Sequence, residues 1–94
     1  SVGASAIVDA QNQVIGIFTD GDLRRLIEKG VDLRSVVAAD VMHARPRTVR
    51  EDALAVAAAE LMELHSITSV LVVDASNQLC GIVHIGDLMR AKVI

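Results

Sequence analysis

Two short stretches carry the residue types from which a ligand site can be built, Thr19-Asp20-Gly21-Asp22 and His84-Ile85-Gly86-Asp87. In each, a hydrogen-bonding side chain is followed by glycine and then aspartate, where an apolar run gives way to a helical pattern. Glycine at such a junction lets a ligand approach the backbone, and the exposed N–H groups of a first helical turn attract anions. A carboxylate in the same turn repels phosphate but suits the cis-diol of a sugar, from which it can accept two hydrogen bonds. Arg45, Arg47 and Arg50 could add cationic reach.

Each feature also has a plain structural role. Thr19-x-x-Asp22 has the form of a capping box, in which side chain and backbone satisfy each other at a helix start. Against that role stands the second stretch, where Asp87 persists although His84 is not the usual hydroxyl cap. The arginines read equally well as a solvated edge. His43, His65, His84 and Cys80 raise the question of zinc, but no pair has a compact spacing such as C-x-x-C or H-x-x-x-H, so no metal site is assigned. Cys80 sits inside an apolar run and is expected to be a buried small hydrophobe whose thiolate is disfavoured. Met42, Met62 and Met89 read as core or interface filler. No catalytic group and no cofactor is assigned.

The elements that position these residues come from an internal repeat. Ile7 to Arg25 and Val72 to Arg90 match at eleven of nineteen positions with a constant offset of 65. The chain is therefore read as copies of one supersecondary unit. Ala4 to Asp9 and Val14 to Phe18 are expected strands joined by the turn Asp9 to Gln13, and Thr19 to Asp22 opens a helix with Leu23, Leu26 and Ile27 on one face. Gly30 is placed to end that helix as a left-handed residue. Val31 to Arg45 reads as a linker with a helical turn near Asp40 to Met42, and Pro46 to Val49 as a short extended piece. Asp52 to His65 is expected to be a helix carrying Leu54, Ala58, Leu61 and His65 at helical spacing. Ser69 to Val73 and Leu79 to His84 repeat the strand pair, and Gly86 to Lys92 repeats the helix.

The complete unit is thus strand, helix, strand, strand, helix, with its first two strands parallel and its last two a hairpin. Aligning Ser1 with Ser66 leaves nothing to match Val41 to His65, so the first copy lacks its front half. The expected fold is α/β, with residues 1–30 the end of a first repeat, 31–45 a linker and 46–94 a second repeat. Such a chain is expected to be a piece of a longer protein.

Bulk properties remove several function classes. Ninety-four residues fit one small domain of modest stability, burying roughly 60–65 % of its unfolded surface. Phe18 is the only aromatic residue and the net charge is −3, which argues against nucleic-acid binding by base stacking or phosphate neutralisation. No apolar stretch reaches the roughly 20 residues of a membrane span, and no signal pattern opens the chain. A single cysteine makes a reducing cytoplasm the expected compartment.

The complete copy, with V-R-x-D-A-x-x-x-A-x-x-x-M before I-T-S-V-L-V-V-D and then G-I-V-H-I-G-D-L, resembles the cystathionine β-synthase (CBS) domain. Two such repeats form a Bateman module. Gly16 to Arg25, Gly30 to Arg34, Ile67 to Val70 and Gly81 to His84 together look like the C-terminal CBS pair of bacterial D-arabinose 5-phosphate isomerases, which feed Kdo synthesis for lipopolysaccharide or capsule. The resemblance implies catalysis in an upstream sugar isomerase (SIS) domain, and a regulatory or architectural role here.

It further implies a cleft between the repeats that takes an adenosine nucleotide or related ligand, with a hydroxyl meeting phosphate and an aspartate meeting the ribose. Thr19, Gly21 and Asp22 match that pattern in the first copy; Gly86 and Asp87 match it in the second, where His84 replaces the hydroxyl. Thr48, Ile67, Thr68 and Ser69 would line the other wall. Sensing of a nucleotide or a nucleotide sugar such as CMP-Kdo is one implied function. The others are a purely structural, oligomerising module, or a CBS pair belonging to another enzyme or transporter. Because nothing covers the first copy's strands, a homo-oligomer is expected.

Overall fold

The computed structural model describes residues 3–92. β1 (Ala4–Val8) and β2 (Val14–Thr19) are antiparallel, and their β-branched residues suit a half-buried pleat. Asp9 organises the turn between them by accepting the N–H groups of Gln11 and Gln13, while Asn12 adopts a φ of 62°. α1 (Asp20–Glu28) begins at the capping box, Asp22 N–H donating to Thr19 Oγ1 and Thr19 N–H to Asp22 Oδ2. It ends as expected at Gly30, whose φ of 72° allows Gly30 and Val31 to donate to the carbonyls of Ile27 and Leu26.

The linker, in which only a helical turn near Asp40 is expected, has more structure than that. After a 3-10 turn at Leu33–Ser35 come α2 (Ala38–Val41) and β3 (His43–Ala44), which pairs antiparallel with β2 to extend the first sheet. Gly16 permits this close approach, for Met42 and the His43 carbonyl crowd the space a Cβ would fill. β4 (Thr48–Arg50) then runs parallel to a strand of the second sheet.

α3 (Ala55–His65) starts three residues later than expected. Its delay follows from β4: Glu51 N–H still donates to the Val73 carbonyl, and a turn closed by Ala53 N–H on Arg50 must precede the helix. The buried face is also rotated from the expected one. Ala58, Ala59 and Met62 face inward, Leu61 and His65 are half-buried, and Leu54 is 76 % exposed.

β5 (Ser69–Val73) and β6 (Leu79–His84) have the expected bounds, and α4 (Ile85–Arg90) follows. The order β4-β5-β6 combines the parallel crossover with the hairpin, as the repeat requires. β5 is covered on both faces. Val70 joins the α3 and α4 cluster, whereas Leu71 and Val73 pack with Val14, Ala6 and Ile17 of the first sheet.

The repeats are also stapled through their turns. Val14 N–H donates to Asn77 O and Leu79 N–H to Asn12 O, while each asparagine side chain donates back to its own partner's carbonyl, Asn77 Nδ2 to Val14 O and Asn12 Nδ2 to Leu79 O. These four bonds are two pairs related by the same offset of 65. Asn77 has a φ of 62°, like its counterpart.

Within the described residues the first copy has no counterpart of α3. Val8, Ile15, Leu23 and Ile27 are exposed, so the apolar face read on α1 lacks a cover. Exposure is not confined to that copy, because Leu64 and Met89 on the outer faces of α3 and α4 are open as well.

Candidate functional site

The strand ends opposite the stapled turns converge on a cavity of about 570 Å³, within the range of small-molecule sites. β2 delivers Thr19, the first turn of α1 delivers Gly21, β6 delivers His84, and the approach to β5 delivers Ile67, Thr68 and Ser69. The linker supplies the remaining wall through residues 43–47. Six of the residues expected at a ligand site are thereby brought together. Asp22, Thr48, Gly86 and Asp87 do not line the cavity.

Asp22 is only 6 % exposed and fully engaged. Beyond the Thr19 N–H, its carboxylate meets the Arg25 guanidinium and His43 Nε2, the latter at 2.6 Å. Burial alone would raise its pKa, but the Thr19 backbone and side chain, His43 and Arg25 together hold it below the ordinary carboxylate value. Asp87 is also lowered, chiefly by the His84 N–H it accepts, and it pairs with Arg90 at the surface.

A carboxylate with a depressed folded-state pKa stabilises the fold above its unfolded pKa, and that contribution fades as pH falls through the folded value. Asp22→Asn should therefore cost most stability near neutral pH. The gap to the parent protein in urea midpoint should narrow as pH falls below the ordinary aspartate value and through the lowered one. An equal gap at both ends would show that charge on Asp22 contributes nothing.

Two expectations need correction. His84 does cap α4: its Nδ1 accepts from Gly86 N–H at 3.1 Å and Asp87 returns a carboxylate oxygen to His84 N–H. An imidazole nitrogen replaces the hydroxyl, so capping accounts for both copies. Cys80 is exposed, because it points away from the packed face of β6. Its thiol pKa is raised first by the hydrogen bond to Glu51, with partial desolvation and the charges of Glu51 and Asp74 adding to it.

Asp20, Arg25 and His43 were not foreseen as cavity residues. The repeat held a signal for Arg25, since Arg90 stands 65 residues on and pairs with Asp87 as Arg25 does with Asp22. His43 had none, for its bond to Asp22 spans 21 residues. Arg45 and Arg47 line the cavity, whereas Arg50 turns to Asp52. Among the described residues no cluster of three His, Cys, Asp or Glu could hold a metal ion, and no helix is long and apolar enough to cross a membrane.

A family model described as the CBS domain matches residues 37–94. Arabinose 5-phosphate isomerase KdsD of Escherichia coli K12 is 46 % identical over 94 residues, and that of Pseudomonas aeruginosa is 40 % identical over 93. These alignments cover 100 % and 99 % of this chain, which spans 28 % of either relative. Among solved structures, the CBS domain protein PAE2072 from Pyrobaculum aerophilum complexed with AMP superposes with a TM-score of 0.84 at 26 % identity, covering 92 % of this chain and 66 % of that one. The CBS domain pair of MJ0100, in complex with 5′-methylthioadenosine and S-adenosyl-L-methionine, gives 0.84 at 26 %, covering 96 % and 72 %. CBSX2 in complex with AMP gives 0.83 at 28 %, covering 98 % and 72 %.

Proposed function

Given that the chain belongs to the CBS-domain family, we propose that it is the regulatory module of an arabinose 5-phosphate isomerase and that its cleft senses a nucleotide or nucleotide sugar. The observation that carries this reading is the cavity where the two repeats meet, lined from the first copy by Thr19 and Gly21 and from the second by Ile67, Thr68, Ser69 and His84. Its setting between repeats suits a regulator, because a ligand bridging both copies favours one relative orientation. The whole-length similarity to KdsD supports the parent enzyme, and the adenosine ligands of the solved relatives support the ligand class. In this reading residues 1–30 and 46–94 are the two repeats, 31–45 joins them, an SIS domain upstream performs the isomerisation, and the parent works in the cytoplasm on the route to Kdo.

Ligand binding should appear as stabilisation. A ligand at a hundredfold excess over its Kd adds about 2.7 kcal/mol, a rise in Tm on the order of 10 °C for a domain of this size. Thermal unfolding with AMP, S-adenosylmethionine and CMP-Kdo tests this, and no shift with any of them at millimolar concentration would overturn sensing. The exposed apolar residues Ile27, Leu64 and Met89 favour a second reading, an oligomerising module that pairs subunits. Sedimentation as a monomer at micromolar concentration would remove it.

A further inference from the structure

The cavity wall is rich in cations and poor in the carboxylates that a ribose would need. Arg45 and Arg47 line it with no ion-pair or hydrogen-bond partner among the described residues. The other cleft arginine, Arg25, is neutralised by Asp22. Four of the seven arginines are held by aspartates, and of the three left over, Arg24, Arg45 and Arg47, two face the cleft. In a chain of net charge −3 such unpaired cations at a concavity mark a site for an anion.

The backbone of Arg45 is set before any ligand arrives. It holds a φ of 54°, a conformation disfavoured for a residue with a Cβ, between the paired strand β3 and the rigid ring of Pro46. Among the described residues Asp20 is the one carboxylate on the wall; Asp22 is sealed by His43 and Arg25, and Asp87 lies outside. His84 Nδ1 is used as an acceptor, which puts the neutral ring's proton on Nε2 as a further donor.

Resting on the ligand-sensing reading above, we infer that the cleft selects its ligand by phosphate charge through Arg45 and Arg47 and not by the ribose diol. The ligand class is a phosphate ester, whose charge a guanidinium matches in geometry as well as sign. A 2′-deoxynucleotide is then held as well as a ribonucleotide, and a sugar phosphate without a base is admitted.

Calorimetric titration with AMP, 2′-deoxy-AMP, adenosine and ribose 5-phosphate tests this. AMP and 2′-deoxy-AMP should bind within about threefold of each other, and adenosine roughly tenfold more weakly or worse. Arg45→Gln/Arg47→Gln should lose about tenfold or more for AMP, Arg47→Gln alone part of that, and Arg24→Gln nothing. The single variant guards against misfolding at the left-handed position, with circular dichroism as the check. Should 2′-deoxy-AMP bind roughly tenfold more weakly than AMP while the arginine variants bind normally, the diol is read; the inference then falls and nucleotide sensing survives. Arginine-dependent binding of ribose 5-phosphate without binding of AMP would sustain charge selection and sink the nucleotide reading. No binding of any of the four at millimolar concentration overturns both.

Discussion

Leu71→Ala should cost about 3 kcal/mol, among the larger single losses this fold can suffer. Leu71 is 0 % exposed on β5 and packs between the two sheets, against Val14 and Val73 with Ala6, Ile17 and Ile82 around them. The cavity left behind cannot collapse, since backbone hydrogen bonds hold β5 on both sides, to β4 and to β6. A domain of this kind has total stability of roughly 5–15 kcal/mol, so the variant should unfold at markedly lower urea. Leu54→Ala, at 76 % exposure, should stay within about 0.5 kcal/mol. Equal urea midpoints for the two variants would show that the sheets do not share a core.

The second large effect is expected at a residue with no side chain. A methyl group at Gly16 would stand 2.2 Å from Met42 Sδ and 3.0 Å from the His43 carbonyl. Met42 can swing away, but the carbonyl belongs to the strand paired with Gly16 and cannot move without releasing β3. Gly16→Ala should lose about 1–3 kcal/mol and speed amide exchange over residues 43–44. The repeat supplies the control. Gly81 is its counterpart 65 residues on, and nothing lies within 4 Å of the position its Cβ would occupy. There the same change should stabilise by about 0.4–1 kcal/mol, by restricting the unfolded chain. Equal losses at both glycines, measured by urea denaturation, would mean that β3 is not seated on β2.

What the sequence disclosed followed from repetition and local chemistry. The bounds of β5 and β6, the aspartate-led turns and the left-handed Gly30 are each fixed by residues within a few positions of one another. β3 was illegible because a two-residue strand has no periodicity to detect. α3 starts later than its sequence predicts because a hydrogen bond from Glu51 to distant Val73, invisible to propensity, prolongs β4 up to the turn that precedes the helix. At the site, the hydroxyls and glycines were recognisable from type and spacing. The engagement of Asp22 by His43, and the turning of Arg45 and Arg47 into the cleft, depend on how the linker folds back onto the first sheet. No pattern within either repeat encodes that.

The reciprocal bonds of Asn12 and Asn77 make the molecule a lever. They join the repeats at the hairpin turns, while Thr19 and His84 stand at the far ends of β2 and β6, each strand about 20 Å long at 3.4 Å per residue. A rotation of a few degrees about that fulcrum displaces the jaws by about an ångström at such an arm length. α1 and α4 begin directly after Thr19 and His84, so such a rotation would carry both helices with it. Two asparagines outside the cavity lining would thus set the gearing between the cleft and the two helices.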